Sequence, residues 1–170
     1  LPGEAAKVVW VTTDATTSVA FGADWTEKVY LRQDLKDYKG MLGEALGDSD
    51  DSAVEIALGE AMAYIVLAGR QGPTWSGRIV LLATDNMVFT NWLKKRHPRP
   101  RLVRHLFRIL HYLECKYNFI TIGHFFRTYH NVTADFGSRA SQEEVKHRMD
   151  ELGLSSVDAA HEWADLVTNG

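Results

Sequence analysis

Cysteine is almost absent from this chain of 170 residues: Cys115 stands alone, so no disulfide can form within it. No stretch approaches the ~20 consecutive apolar residues that a membrane-spanning helix needs, which argues against a span. The thiolate pairs and the His-Glu-x-x-His pattern that hold zinc are lacking, and the seven histidines are scattered. No internal repeat or low-complexity tract appears. The chain opens Leu-Pro-Gly-Glu, with neither Met nor a signal-like apolar core, and reads as a segment of a longer protein. What is present is ordinary for a globular domain with a real core: 45% hydrophobic and 24% charged residues.

The net charge of −3 hides an uneven distribution. Residues 1–60 carry twelve acids against five bases, a local balance of −7. Residues 94–116 carry eight bases (Lys94, Lys95, Arg96, Arg99, Arg101, Arg104, Arg108 and Lys116) against Glu114 alone. Such a block is either a solvated helix face or a patch that meets phosphates.

The β-branched run Lys7 to Thr13 predicts a buried strand ending at Asp14, and Thr16–Ala23 and Thr26–Gln33 predict two more strands in a meander. Residues 34–52 read as a linker. From Ala53 the apolar residues recur at helical spacing, and Gly69 to Pro73 should end that helix. Arg78–Thr84 is nearly continuous in apolar residues and predicts a central strand ending at Asp85. Helices are expected over Asn86–Lys95 and Arg101–Tyr117, broken at His97-Pro98-Arg99-Pro100, with a fifth strand over Asn118–Phe126. A helical pattern over 132–150 leads into two short amphipathic helices ending near Val167. Three strands, a helix, a strand, two helices, a strand and a helix imply an α/β fold: a mixed sheet with helices on its faces.

Asp14 and Asp85 end the two most buried strands. If those strands are neighbours, both carboxylates reach one sheet edge, where open α/β sheets bind their ligands. The alternative is that each caps the element that follows it. Glu60 lies within the apolar helix, where an acid is costly unless paired or metal-bound, with Glu55 as its rival on that helix. Asp135 begins the last helical pattern, where the dipole favours an acid in any case. Together the four acids make an oxygen-rich set suited to hard divalent cations.

These motifs resemble the ribonuclease H domains of retroelement reverse transcriptases. TTDATTSVAFGADW (12–25) is similar to the family's first hairpin, LGEAMAYIVLA (58–68) to its glutamate helix, and ATDN (83–86) to its second aspartate turn. HNVTADFGSR (130–139) is similar to its closing motif, and the closeness is greatest to gypsy-like and tyrosine-recombinase-type elements. The resemblance covers about residues 7–140. It implies a ribonuclease H-like five-stranded sheet of order 3-2-1-4-5, with residues 141–170 as a helical C-terminal extension. It also implies that Asp14, Glu60, Asp85 and Asp135 hold two Mg²⁺ ions, for which Mn²⁺ can substitute, and that the RNA strand of an RNA/DNA hybrid is hydrolysed. Its partners would be that hybrid and a reverse-transcriptase domain of the same polyprotein, in an intracellular setting of cytoplasm or nucleus.

Three departures stand out. The family's loop histidine has two partial counterparts here, His124 and His130, neither at the expected spacing. The linker after Gln33 is long, and residues 141–170 match nothing in the family. The resemblance gives the basic stretch a role in gripping the hybrid, through Asn86, Lys94, Lys95, Arg96, Arg99, Arg101 and Arg104. Trp92 would either stack on the nucleic acid or fill the core. Two other readings stay open: a non-catalytic nucleic-acid-binding or assembly module, and a DNA-cutting nuclease of the same fold.

Overall fold

A computed structural model describes residues 7–36, 52–96, 98, 101–125 and 129–168. Strands β1 (Val8–Ala15), β2 (Val19–Asp24) and β3 (Val29–Asp34) form a meander, followed by helix α1 (Ser52–Gln71) and a 3-10 turn (Gly72–Trp75). Then come β4 (Ile79–Thr84), α2 (Met87–Lys95), α3 (Arg101–Tyr117), β5 (Ile120–Phe125), α4 (Tyr129–Arg139), α5 (Gln142–Glu151), β6 (Ser155–Ser156) and α6 (Ala160–Thr168). The predicted α/β class with a mixed sheet and flanking helices is what the chain adopts.

The sheet has six strands in the order β5-β4-β1-β2-β3-β6, not five. The addition is β6, two residues that run parallel to β3 outside it. β2 and β3 are antiparallel to their neighbours in the meander, whereas β1–β4 and β4–β5 pair in parallel. Residues 141–168 are therefore built into the body of the protein. Val145, Met149 and Leu154 pack with Phe21, Trp25 and Tyr30 in one core cluster, and Trp163 and Leu166 join the other.

α1 is buried around most of its circumference because small and aliphatic residues follow one another from Ala57 to Ala68. It lies on the sheet face shown by Gly22, where a Cβ would meet Ala63 and Leu67. The next strand position, Phe21, points the other way and lies under Gly137 of α4. The two helices thus sandwich the sheet. Gly137 permits this approach: a Cβ there would come within 2.5 Å of the Phe21 ring.

Several predicted boundaries move for local reasons. β2 and β3 begin three residues later than expected. The Thr16 hydroxyl accepts bonds from the Ser18 and Val19 amides, and Asp24 does the same for Thr26 and Glu27, so both segments turn before they extend. α1 continues through Gly69 to Gln71. The helix predicted over 132–150 breaks at Ser141, which caps α5 by accepting the Glu144 amide. Beyond α5 the strand β6 and one helix, α6, stand where two short helices were expected.

Candidate acidic site at the sheet edge

β1 and β4 lie side by side in parallel, with Val11 opposite Leu82 and Thr12 opposite Ala83. Their C-terminal ends reach the same sheet edge and bring Asp14 and Asp85 with them. Asp14 is only 9% exposed, and Asp85, directly after β4, is half-buried.

Glu60 enters from α1 and is 1% exposed. Its Oε1 accepts hydrogen bonds from the hydroxyls of Thr13 at 3.1 Å and Thr84 at 2.7 Å. The threonine before each aspartate therefore faces α1 and seats the glutamate. Glu55 lies half-buried in the first turn of the helix, so Glu60 is the acid that α1 turns onto the sheet. Gly59 lets this end of α1 sit close, since a Cβ there would stand 3.0 Å from Ala15 Cβ.

Asp135 arrives from α4 on the opposite face. Its side chain is half exposed and pairs with Arg139, whose Nε donates to Oδ1 at 2.8 Å. Ser138, one residue earlier and buried, places its Oγ 2.5 Å from Asp14 Oδ2 and 3.0 Å from the Asp135 carbonyl oxygen. One turn of α4 thus touches both Asp14 and Asp135.

The carboxylates feel one another. Burial lifts the Asp14 carboxyl from its ordinary 3.8 to about 6; the Ser138 contact opposes this, and the charges of Asp135 and Asp85 add to it. Burial likewise pushes Glu60 well above its usual range, with the Thr84 bond opposing and Asp14 reinforcing. The bond and charge of Asp135 raise Arg139, with smaller contributions from Asp14 and Asp85. Oxygen donors of this kind suit a hard divalent cation, which would relieve the repulsion between them. As the side chains stand, among the described residues no group of three or more His, Cys, Asp or Glu is placed to hold a metal ion.

The remaining predicted residues are dispersed. His124 is exposed on β5, opposite Ala83 of β4. The side chain of His130, and Arg99 altogether, lie outside the described residues. Asn86 caps α2 by accepting the Phe89 amide. Trp92 belongs to the core beneath α2, not to a stacking surface, which corrects its assignment as a nucleic-acid contact. Arg96 takes a left-handed conformation at the end of α2 and binds Glu114 at 2.9 Å, so its charge is already paired. Lys94, Lys95, Arg101 and Arg104 are exposed.

Four residues that shape the site had no role assigned from the sequence: Thr13 and Thr84, and Ser138 and Arg139, which stood only as letters of the closing motif. The repeated Thr-Asp at both strand ends was the available signal for the first two, and the i+3 and i+4 spacing from Asp135 for the others. Asp24 is a buried acid of another kind. Its carboxylate accepts from Trp75 Nε1 at 2.8 Å, from Gln71, and from two backbone amides, which makes it a structural anchor. No protein-family model, curated protein or solved structure matches this chain.

Proposed function

We propose that this chain is a ribonuclease H-type endonuclease that hydrolyses the RNA strand of RNA/DNA hybrids, as a module of a retroelement reverse transcriptase. The observation that carries the reading is that Asp14 of β1, Glu60 of α1 and Asp85 after β4 lie toward one sheet edge, where Ser138 links Asp14 to the turn of α4 that carries Asp135. A scaffold has no evident need for that arrangement, in which burial raises Asp14 and Glu60 and the charges of neighbouring acids add to the rise. β1 to β5 suit the ribonuclease H-like sheet, with β6 as an addition beside β3.

Asp14, Glu60, Asp85 and Asp135 would hold two Mg²⁺ or Mn²⁺ ions, which supply an activated water and steady the leaving oxygen. Thr13 and Thr84 fix the orientation of Glu60, and Ser138 that of Asp14. Arg139 balances Asp135 through Oδ1. Lys94, Lys95, Arg101 and Arg104 attract the phosphate backbone, while helix shape and 2′-hydroxyl contacts select the hybrid.

One cleavage assay on hybrid, duplex DNA, duplex RNA and single strands, with Mg²⁺ or Mn²⁺, tests this reading. Hybrid cutting that disappears in Asp14→Asn and Asp85→Asn, with folding retained, is the expected result. Cutting retained by both variants sinks the assignment. A DNA-cutting relative would reveal itself on duplex DNA in the same assay. The engagement of Asp14 by Ser138 and of Asp135 by Arg139 favours a second reading, a non-catalytic binding module, which predicts hybrid binding without cleavage under every metal and pH.

A further inference from the structure

The sheet face on which α4 lies is covered only in part. α4 packs on β1 and β2, while the same face continues across β4 and β5. The parallel register lines up two cross-strand rows there, Val8–Ile79–Ile120 and Trp10–Leu81–Ile122. Val9, Val80 and Leu82, between them in sequence, point into the core under α1, so these six side chains point the other way. Trp10, Ile79, Ile120 and Ile122 are between 40% and 62% exposed, and Val8 and Leu81 are half-buried. Single exposed apolar side chains are common, but six in one block are not. They present roughly 400 Å² of apolar surface, a size that on soluble domains marks a contact site.

A flat sheet face has no concavity for a small ligand, and with no base among the six it has nothing to meet a phosphate backbone. Strand addition at the edge of β5 is blocked. The Thr121 amide donates to Glu114 Oε2 at 2.9 Å and its carbonyl accepts from Arg96 Nη2 at 3.4 Å, so the Arg96–Glu114 pair stands where a further strand would pair. Association must use the face. A standard interface buries about 800 Å² on each partner, a little over half of it apolar, so this patch supplies nearly the whole apolar share of a dimer. β4 is the middle strand of the three, so a two-fold axis through it lays β5 of each copy over β1 of the other. The branched Ile120 and Ile122 then meet the broad Trp10 ring, with the two like-twisted sheets about 10 Å apart. We propose that this chain forms a two-fold homodimer through the β1-β4-β5 face, Trp10 of each copy packing on Ile120 and Ile122 of the other. Asp14 lies on the same face of β1, about 13 Å beyond Trp10, so the acidic edge stays outside the contact. The dimer forms whether or not that edge cuts nucleic acid.

Sedimentation equilibrium of the full chain, from low to high micromolar concentration, tests this together with acrylamide quenching of tryptophan emission. Trp10 is the readout, because the other four tryptophans are at most 9% exposed. The mass should rise from one chain to two, and quenching should fall along the same curve; Trp10→Phe should lose that fall. Ile122→Lys and Ile120→Lys place a charge where the side chain is already exposed, so circular dichroism should show the fold retained. Each should weaken association at least roughly tenfold, because the ammonium would be buried without an acceptor. Tyr112→Lys, exposed on α3 on the α1 side of the sheet, should leave association unchanged. A single-chain mass at every concentration overturns the proposal, whether Trp10 is then quenched freely or not. So does a dimer that survives both isoleucine variants, or one that Tyr112→Lys abolishes. Shielding of Trp10 only when a different protein is added would assign the face to that protein and overturn the dimer.

Discussion

Replacing Asp14 by Asn isolates the cost of one buried charge at the sheet edge. In the unfolded chain this carboxyl titrates near 3.8, and in the folded protein near 6. Between those values the folded protein keeps a proton that the unfolded chain has released. Stability is therefore highest below the lower value, falls as pH rises through the higher one, and levels off above it. The gap of about two pH units corresponds to roughly 3 kcal/mol, and a side chain only 9% exposed is little screened. Asn keeps the shape and still accepts from Ser138, but carries no charge. Without metal and near pH 8, Asp14→Asn should be more stable than the parent by up to about 3 kcal/mol, or roughly 6–12 °C in Tm for a chain of this size. Near pH 4 the difference should shrink to almost nothing. Urea and thermal unfolding followed by circular dichroism in EDTA, at steps between those pH values, gives the curve directly. A variant no more stable near pH 8, or one whose advantage is the same near pH 4, would refute the buried-charge argument. Millimolar Mg²⁺ should then stabilise the parent more than the variant, because only the parent retains the complete donor set.

Three further outcomes follow from the packing. Gly137→Ala should cost about 1–3 kcal/mol in urea unfolding, since its Cβ would lie 2.5 Å from the Phe21 ring and α4 must lift. Glu60→Gln should be tolerated or stabilising near neutral pH. Glu60→Ala should destabilise by about 1–3 kcal/mol, because it leaves the hydroxyls of Thr13 and Thr84 without their acceptor in a buried setting; equal melting temperatures for the two variants would contradict this. Trp75→Phe removes the indole N–H that Asp24 accepts at 2.8 Å and should lower stability by about 1–3 kcal/mol. A parallel Asp24→Asn series would show whether the two losses overlap, as a shared bond requires.

Much of the acidic edge was legible because its carriers are buried parallel strands. Val9, Val11, Val80 and Leu82 leave a run of apolar letters that stops at an aspartate, and pattern alone finds both strands and both acids. Glu60 was harder. Helical periodicity names a face but not the side on which the sheet lies, and in a helix buried nearly all round, Glu55 and Glu60 look alike until Thr13 and Thr84 are placed beneath one of them. Ser138 and Arg139 were visible as letters of a motif. Their partners are set by the packing of α4 on Phe21, which no local pattern encodes. β6 was missed for a simpler reason: two residues carry no period, and their pairing depends on where α5 delivers the chain. Trp92 shows the reverse case, an aromatic next to a basic run that the fold takes inward to complete a core.

The contact between Ser138 and Asp14 joins positions 124 residues apart. Closing a loop of that length costs more chain entropy than the hairpin contacts of the meander, and it needs α4 to be present. Until α4 has emerged and docked, the strands that carry Asp14 and Asp85 can form without their fourth acid. A nascent or truncated chain is then left with an incomplete edge. Completion of the acidic cluster thereby becomes a report on the whole chain: whatever chemistry the edge performs starts only after the last third of the sequence has found its place, and ends when a nick or a local opening releases α4.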